Sequence, residues 1–294
     1  MPASPSEHAP IEEAVIIAAG RGTRMRPSTR VVPKEFLPNF DRPLIHSAIE
    51  EAIACGAKRI TVVTSDRSKP FLETYFAPLD EEERGDSKLG SLRELLERVE
   101  IQWVKQPEAK GTGNATLYAR DAGVDRTFLL MLPDMIFTGT PPGQALATAV
   151  SRFGGNAISV TTVGPEYYDG WGIVTGDPVE GGLLRMRDIL EKPGSAYTAP
   201  SGAGINGRYV LTPGIFECIE EIQRQGKTVK GEVNLTDAMV LLAQQEPFHA
   251  VTYDEPFYDS GFPVGYLTAS VASALADPGQ REAVRAALLP LLEG

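Results

Sequence analysis

Short apolar runs alternate with helical patterns along the first part of this chain, and this alternation limits the fold to few classes. The run AVIIAAG at 14–20 is rich in branched side chains and ends in glycine, which predicts a strand buried on both faces. The segment PLIHSAIEEAIACG at 43–56 places its apolar residues on one helical face, and ITVVTS at 60–65 predicts the next strand. A strand, a crossover helix and a second strand in this order predict a parallel α/β sheet.

The pattern changes near residue 165, where turn-rich pieces predict a smaller, partly antiparallel region. The predicted fold is therefore α/β, with a Rossmann-like, mixed but mainly parallel sheet flanked by helices, and with helices at the C-terminus. We expect a disordered leader at 1–12 and one continuous domain at 13–268, divided at about 164/165. A helical attachment is predicted for 269–294, interrupted at Pro278–Gly279.

Composition excludes several classes of protein. The 294 residues carry a formal net charge of -11, which argues against a nucleic-acid-binding protein. No apolar stretch has the length needed to cross a bilayer, and the N-terminus lacks the apolar core of a signal peptide. Two cysteines do not indicate a disulfide framework, so we expect a cytoplasmic protein without membrane or nucleic-acid partners.

The segment AAGRGTRMRPSTRVVPKEFLP at 18–38 is a basic, glycine-containing exception within an acidic chain. Gly20 and Gly22 allow close approach of the backbone to a ligand, and successive amide groups there can bind an anion. Arg24 and Lys34 can neutralise phosphate oxygens at the carboxyl end of the first strand. The alternative is a tight turn followed by a solvated basic loop.

Two familiar phosphate-binding motifs do not fit this segment. A Walker loop requires G-x-x-x-x-G-K-[ST], and a dinucleotide-binding fingerprint requires a third glycine that opens the helix. Here Gly22 is followed by Thr23, Arg24 and Met25, so neither pattern is present. A Rossmann oxidoreductase is therefore disfavoured.

The sequence G-x-G-T-R-M-x-P-x-T-x-x-x-P-K-E-x-L-P resembles the signature of bacterial UTP–glucose-1-phosphate uridylyltransferases, which are sugar nucleotidyltransferases. The similarity extends from about residue 14 to 268. It implies a nucleotide-diphospho-sugar transferase fold, the substrates UTP and glucose 1-phosphate, Mg²⁺ as cofactor, and a homodimer or homotetramer. Arg30 replaces the usual lysine, and Trp171 replaces the usual tyrosine.

The resemblance also implies which residues contact the nucleotide, and it places them in the 13–164 part of the domain. The amide of Gln106, in VKQPEAKGTGNA, can both donate to and accept from a uracil ring, and Glu35 can accept from a ribose hydroxyl. Taken alone, KGTGN is typical of a helix-entry turn. The implied nucleotide-binding set is Ala19, Gly20, Gly22, Thr23, Glu35, Gln106 and Gly111.

Two carboxylates follow apolar segments. Asp134 ends TFLLMLPD, and Asp259 lies in YDSG. Each of them, taken alone, is equally consistent with capping a turn. Magnesium prefers oxygen ligands, usually one or two carboxylates together with phosphates and water. The resemblance assigns both aspartates to one Mg²⁺ site beside the α-phosphate.

Sugar-binding residues are implied in the 165–268 part. In EKP, Glu191 can accept hydrogen bonds from sugar hydroxyls and Lys192 can bind the sugar phosphate, although an exposed ion pair is the simpler interpretation. Gly172 leaves room for a hexose, and Asn206 is a weaker candidate. The resemblance makes Arg24, Lys34 and Lys192 the catalytic cations.

The chain contains no G-x-S-x-G elbow, and its histidines at 8, 46 and 249 do not form a metal or triad pattern. Covalent catalysis by a protein nucleophile is therefore not expected. Two alternatives stay open at this point. The chain could perform the same chemistry with dTTP, CTP or another hexose 1-phosphate, or it could be a non-catalytic regulatory homologue that binds a nucleotide sugar. The wording of LPD, EKP and LTDA favours UTP and glucose 1-phosphate.

Overall fold

The computed structural model describes residues 11–198, 202–229 and 231–293. Residues 1–10 of the predicted leader lie outside these ranges. Ile11 and Glu12, which were included in that prediction, are held against the first crossover connection. The carbonyl oxygen of Glu12 accepts hydrogen bonds from the backbone N–H groups of Lys58 and Arg59.

The strands and helices follow the predicted alternation closely. The strands are β1 (Glu13–Ala18), β2 (Pro38–Asn39), β3 (Arg42–Pro43), β4 (Arg59–Thr64), β5 (Glu100–Lys105), β6 (Phe128–Met131), β7 (Met135–Phe137), β8 (Asn156–Thr162), β9 (Gly172–Pro178), β10 (Leu184–Glu191), β11 (Ala203–Leu211), β12 (Phe248–Thr252) and β13 (Phe257–Asp259). The α-helices are α1 (Leu44–Ala54), α2 (Lys69–Tyr75), α3 (Glu81–Gly85), α4 (Gly90–Arg98), α5 (Thr112–Asp121), α6 (Pro142–Phe153), α7 (Gly214–Arg224), α8 (Leu235–Ala243), α9 (Pro263–Ala276) and α10 (Arg281–Glu293).

Nine of the described strands form one sheet, in the order β5-β4-β1-β6-β11-β8-β12-β10-β9. Strand β1 lies between β4 and β6 and is parallel to both, with Ile16 opposite Val62 and Met131. All six residues of β1 are buried, because helices cover both faces of the sheet. The prediction of a buried parallel strand is confirmed.

The second part of the sheet is mixed. Strand β11 is antiparallel to both β6 and β8, and β12 is parallel to β8. Strands β9 and β10 form the predicted antiparallel region, but they extend the same sheet at its edge instead of forming a separate one. The predicted α/β fold with a mixed central sheet and C-terminal helices is confirmed.

Two apolar layers cover the faces of the sheet. Val15 and Ile17 face a cluster formed with α5, α7 and α8, whereas Ala14, Ile16 and Ala18 face a cluster formed with α1, α2, α4 and α6. Alternate residues of a strand point to opposite faces, so β1 contributes to both clusters. This packing fixes the position of the carboxyl end of β1, and the candidate site lies at that end of the sheet.

The charged sequence DEEERGDSK at 80–88 predicts a solvated acidic loop, and the structure differs from this prediction. Asp80 accepts a hydrogen bond from the backbone N–H of Glu83, and the Glu83 side chain accepts one from the N–H of Asp80. This reciprocal pair is a capping box, which satisfies two otherwise unpaired donors and begins α3. The sequence prediction overlooked this local signal because it weighed only charge.

The C-terminal boundary also differs. Helix α9 runs from Pro263 to Ala276, so the predicted division at 268/269 falls inside a continuous helix. The interruption predicted at Pro278–Gly279 is present between α9 and α10. Within the described ranges, no helix combines the length and the apolar character that a bilayer crossing requires.

We expect Phe128→Ala to lower the free energy of unfolding by about 3–5 kcal/mol, because it empties a large, tightly packed site. Phe128 is fully buried, and its ring stacks on Phe216 with centroids 5.6 Å apart. Urea denaturation measures the change. The matched control is Phe71→Ala, since that ring is 37% exposed and should cost less. Equal losses would show that Phe128 has no special place in the core.

Candidate active site

The basic loop leaves the carboxyl end of β1 and folds through three short 3₁₀ turns. Gly22 has a φ of 60°, in the left-handed region, and a Cβ atom there would lie 3.1 Å from the Thr29 side chain. The Thr29 hydroxyl donates to the Gly22 carbonyl at 2.6 Å, and Arg67 donates to the Thr29 carbonyl. These contacts hold the loop in a compact form over the sheet edge.

The start of the loop is open to a ligand. Ala19 is buried, whereas Gly20 and Thr23 are exposed. A Cβ atom at Gly20 would meet nothing within 4 Å, so the backbone there has free space in front of it. These positions fit the predicted backbone contacts to a nucleotide, which stay a prediction.

Lys34 is directed towards Asp134. Its Nζ atom donates to Asp134 Oδ2 at 2.6 Å, and both side chains are largely buried. Burial works against the charged form of Asp134, but the charge and hydrogen bond of Lys34, together with the charge of Arg24, hold its pKa below the ordinary value. The predicted cation and the predicted metal ligand therefore belong to one cluster.

A small antiparallel pair of strands brings Asp259 to the same place. In the pairing of β7 with β13, Asp259 lies opposite Met135, the residue after Asp134. The N–H and hydroxyl of Ser260 both donate to the Asp134 carbonyl, at 2.8 and 2.7 Å. A Cβ atom built on Gly261 would lie 2.8 Å from Asp259 Oδ1 and 2.9 Å from Asp134 Oδ2. The two carboxylates thus flank one small space.

The charged form of Asp259 is less well stabilised than the charged form of Asp134. Burial and the negative charge of Asp134 raise the pKa of Asp259, against the opposing effect of the Gly261 N–H, which donates to its carboxylate at 2.7 Å. Arg24 lies between the two acids, 3.6 Å from Asp259 and 4.0 Å from Asp134. Its side chain is 60% exposed, so this attraction is screened by solvent. Asp259 is therefore compensated less closely than Asp134, which Lys34 contacts directly.

This arrangement suits a divalent cation that takes other ligands from a substrate. Within the described part of the chain, no cluster of three or more His, Cys, Asp or Glu residues could enclose an ion. Asp134 and Asp259 offer carboxylate oxygens around one space. A hard cation such as Mg²⁺ commonly binds through one or two carboxylates and completes its shell with phosphate and water. The donor set fits that requirement.

A cavity of about 310 Å³ adjoins the two aspartates. Its lining also includes Gly172, Glu191 and Lys192, which are three of the predicted sugar-binding residues. A Cβ atom at Gly172 would lie 2.9 Å from Ile205 and 3.2 Å from the Glu191 carboxylate, so a larger residue would crowd this wall. The cavity connects the predicted metal ligands to the predicted sugar site.

Lys192 is held in an unusual backbone conformation. Its φ is 49°, which is uncommon for a non-glycine residue, and its N–H donates to the Trp171 carbonyl at 3.1 Å. The ammonium group lies 3.3 Å from Glu191 and is largely exposed. A weak exposed ion pair leaves this cation available to an incoming anion.

Sequence reasoning missed part of the cavity wall. Residues of the 232–236 segment line it, together with others from α5 and β11; the additional lining residues include Thr112, Tyr209, Glu232, Asn234 and Thr236. The last two residues of the segment begin α8 and belong to LTDA at 235–238, which the sequence analysis used only as a sign of substrate preference. The polar run E-V-N-L-T could have indicated it.

Gln106 and Gly111 support that wall from behind. Gln106 is 4% exposed, and its amide nitrogen donates to Asn114 at 2.8 Å and to the Gly111 carbonyl at 3.3 Å. Gly111 has a φ of 96°, and a Cβ atom there would lie 2.5 Å from the Val233 carbonyl. Asn114, which the sequence analysis did not select, fixes the Gln106 amide. A contact between Gln106 and a base stays a prediction.

Glu35 and Asn206 are predicted contact residues that are buried and do not line the cavity. Glu35 is 1% exposed, and burial raises its pKa although Ser68 bonds to the carboxylate. Asn206 is fully buried, and both of its amide atoms lack a hydrogen-bond partner. Neither residue lines the cavity. Their roles towards ribose and sugar are not supported by this geometry and stay predictions.

Comparison with known proteins gives a consistent result. The family model for nucleotidyl transferases matches residues 13–274. A UTP–glucose-1-phosphate uridylyltransferase of Bacillus subtilis strain 168 is 36% identical, over 97% of each chain. A UDP-glucose pyrophosphorylase crystallised with UDP-glucose is 31% identical, with a TM-score of 0.80 over 89% of this chain and 98% of the other. A UTP-bound enzyme of the same kind from Acinetobacter baumannii is 29% identical, with a TM-score of 0.81 over 95% and 99%.

We expect Asp259→Asn to raise the melting temperature of the metal-free protein near neutral pH, because it removes a buried charge that repels Asp134. An acid whose pKa is raised on folding destabilises the fold above that pKa and has no such effect below its ordinary value of 3.8. The gain should therefore fade as the pH falls towards 3.8. Thermal melts with a chelator at several pH values measure it.

The control for this prediction is Asp125→Asn, which removes the same charge from an exposed residue at the other end of the sheet. It should leave the melting temperature nearly unchanged. A loss of stability in Asp259→Asn at neutral pH would mean that the attraction from Arg24 and Lys34 exceeds the repulsion.

Proposed function

The chain belongs to the nucleotidyl transferase family, and from this premise we propose that it transfers the uridylyl group of UTP to glucose 1-phosphate, forming UDP-glucose and pyrophosphate. Two relatives that are named UTP–glucose-1-phosphate uridylyltransferase match 97% and 88% of this chain. The observation that carries the proposal is the convergence of Arg24 and Lys34 on Asp134 and Asp259, two acids that line a cavity. That cavity is open to two anionic reactants.

The reaction requires no protein nucleophile. An oxygen of the glucose 1-phosphate phosphate group attacks the α-phosphorus of UTP in line. A new phosphorus–oxygen bond forms as the bond to the bridging oxygen between the α- and β-phosphates breaks, and pyrophosphate leaves. Burial raises the pKa of Cys55 to about 12 and that of Cys218 to about 11, so neither thiol is a suitable nucleophile at neutral pH. Alignment and charge stabilisation are the main tasks of the protein.

Cations of the basic loop serve the triphosphate. We assign Arg24 and Lys34 to its oxygens and to stabilisation of the departing pyrophosphate, with the backbone at Gly20 and Gly22 as additional donors. Arg24 is exposed and can move towards a ligand, whereas Lys34 is anchored by Asp134. Lys192, on the opposite wall, is assigned to the phosphate of the sugar.

We propose Mg²⁺ as the cofactor, held by Asp134 and Asp259. When bound there, Mg²⁺ would supply charge neutralisation at the α-phosphate. Asp134 keeps its charge because of Lys34, and the fixed backbone around Asp259 orients the second carboxylate. The remaining ligand positions are left for phosphate oxygens and water.

Selectivity is assigned to the two ends of the cleft. Gln106 and Gly111 are proposed to form the pyrimidine side together with Ala19, Thr23 and Glu35. Glu191 and Gly172 are proposed to form the hexose side, and Asn206 is kept as a weaker candidate. The division into a nucleotide part at 13–164 and a sugar part at 165–268 is proposed on the same grounds. A cytoplasmic location and a homodimeric or homotetrameric state complete the proposal.

A panel of nucleoside triphosphates and hexose 1-phosphates, followed by pyrophosphate release, tests the function directly. The proposal predicts the highest kcat/KM for UTP with glucose 1-phosphate, and dependence on a divalent cation. The extra methyl group of thymine should by itself disfavour dTTP by only about 10–200-fold, and the missing 2′-hydroxyl of dTTP adds to this discrimination. A preference for another pair would reassign the substrate, and no turnover with any pair, despite binding of UDP-glucose, would indicate a regulatory protein.

Lys34→Ala and Asp134→Asn should each lower kcat by about two orders of magnitude or more, because each removes an oriented electrostatic group from the reacting phosphate. Steady-state kinetics measure the change, and circular dichroism confirms folding. Lys69→Ala is the matched control, since Lys69 is a half-exposed lysine on α2 that pairs with Glu73. Near-wild-type turnover in either site variant would contradict the assignment.

A further inference from the structure

A buried arginine lies behind the two aspartates, on the face of the sheet opposite the cavity. Arg208 on β11 is 1% exposed, and all five N–H donors of its guanidinium group are used. Nε and Nη2 donate to the two carboxylate oxygens of Glu51, at 2.8 and 2.6 Å. Glu51 belongs to α1 and is itself largely buried, so the pair connects a helix to the centre of the sheet.

The remaining donors of Arg208 reach the backbone around Asp134. Nη1 donates to the carbonyl of Leu132 at 2.7 Å and to that of Gly207 at 3.1 Å, and Nη2 donates to the carbonyl of Met135 at 2.8 Å. Leu132 and Met135 lie on either side of the short connection that contains Asp134. A planar, rigid fork therefore holds the two ends of that connection at a fixed separation.

Arg208 also contacts the strand pair that positions the second aspartate. Its guanidinium carbon lies 4.7 Å from the centre of the Phe137 ring on β7. Phe137 is paired with Phe257 of β13, two residues before Asp259. The Arg208 side chain thus contacts the connection that carries Asp134 and also β7, the strand that pairs with the one carrying Asp259.

From these contacts we propose that Arg208, held by Glu51, is a positioning residue that fixes the relative placement of the carboxylates of Asp134 and Asp259 for a shared cation. This inference rests on the proposed function, because it assumes that the two aspartates hold a divalent metal. Arg208 cannot touch the reactants. Its neighbours Gly207 and Tyr209 line the cavity, whereas Arg208 lines a separate hollow on the other face.

Packing alone does not account for a charged pair at this place. Removing two charges from water is costly, and apolar residues of similar volume usually stabilise a core as well or better. The carbonyl contacts supply a different explanation, since an apolar side chain could not hold Leu132 and Met135. Lysine would preserve the charge but has a single donor group at the end of a flexible chain, so it could not reproduce the fork.

Three variants test the proposal. The double variant Arg208→Met/Glu51→Leu keeps the volume and removes the ion pair, Arg208→Lys keeps the charge, and Glu51→Gln keeps the shape but loosens the anchor. Metal affinity is read from Mn²⁺ binding by electron paramagnetic resonance in the presence of UDP-glucose, and from the Mg²⁺ concentration for half-maximal activity. We expect the first two variants to weaken metal binding by about 10- to 100-fold, as for groups that orient metal ligands.

If Arg208 only positions the metal ligands, its variants should lower the metal affinity without changing the affinity for the sugar phosphate. The KM for glucose 1-phosphate at saturating Mg²⁺ should change little, and Glu51→Gln should have a smaller effect in the same direction. The matched control is Arg59→Met/Glu13→Leu, which removes another partly buried ion pair near the opposite ends of β1 and β4. That control should keep wild-type metal affinity even if its stability falls.

The outcomes distinguish this inference from the proposed function. If the wild-type protein neither binds Mn²⁺ nor turns over, the metal site itself is wrong. If the wild-type protein binds Mn²⁺ and folded Arg208→Lys binds it equally well, the positioning role of Arg208 is overturned. If the double variant fails to fold, the comparison of Arg208→Lys and Glu51→Gln decides. If the Arg208 variants lose no more metal affinity than the control pair does, Arg208 contributes only to stability.

Discussion

Repulsion between two buried carboxylates is the constraint around which this site is built. Asp134 and Asp259 flank one small space, and the charge of the first raises the pKa of the second. Lys34 compensates Asp134 closely, whereas Arg24 compensates the pair only from the solvent side. A divalent cation held between these carboxylates, as proposed above, would relieve this repulsion. Local electrostatic strain is a common feature of functional sites.

The fold maintains this unfavourable pair through the backbone. The β7–β13 ladder and the Ser260 hydrogen bonds set the positions of the chain segments that carry the two acids. The Arg208 fork holds the connection around Asp134 from the opposite face. Backbone anchoring keeps the two segments at a fixed separation, so the repulsion cannot be relieved by moving the chain segments apart.

Local signals were sufficient for most of the elements. The buried strand β1, the helix α1 and the alternation of strands and helices that follows them result from apolar periodicity, and the structure reproduces them. The errors have physical causes. The helix α3 depends on a capping box at Asp80 that charge alone conceals, and α9 continues through the predicted boundary because its apolar face packs onto β13 and β2.

The sequence by itself determined the α/β class and the family, because these depend on periodicity and on residues that are close in the chain. Only the tertiary structure decided that Asp134 and Asp259 are neighbours, that Asn114 fixes Gln106, and that the 232–236 segment forms a cavity wall. It also decided that Glu35 is buried away from the cavity. Such contacts join distant parts of the chain, and their geometry is set by strand pairing and packing, which no local pattern of residues encodes.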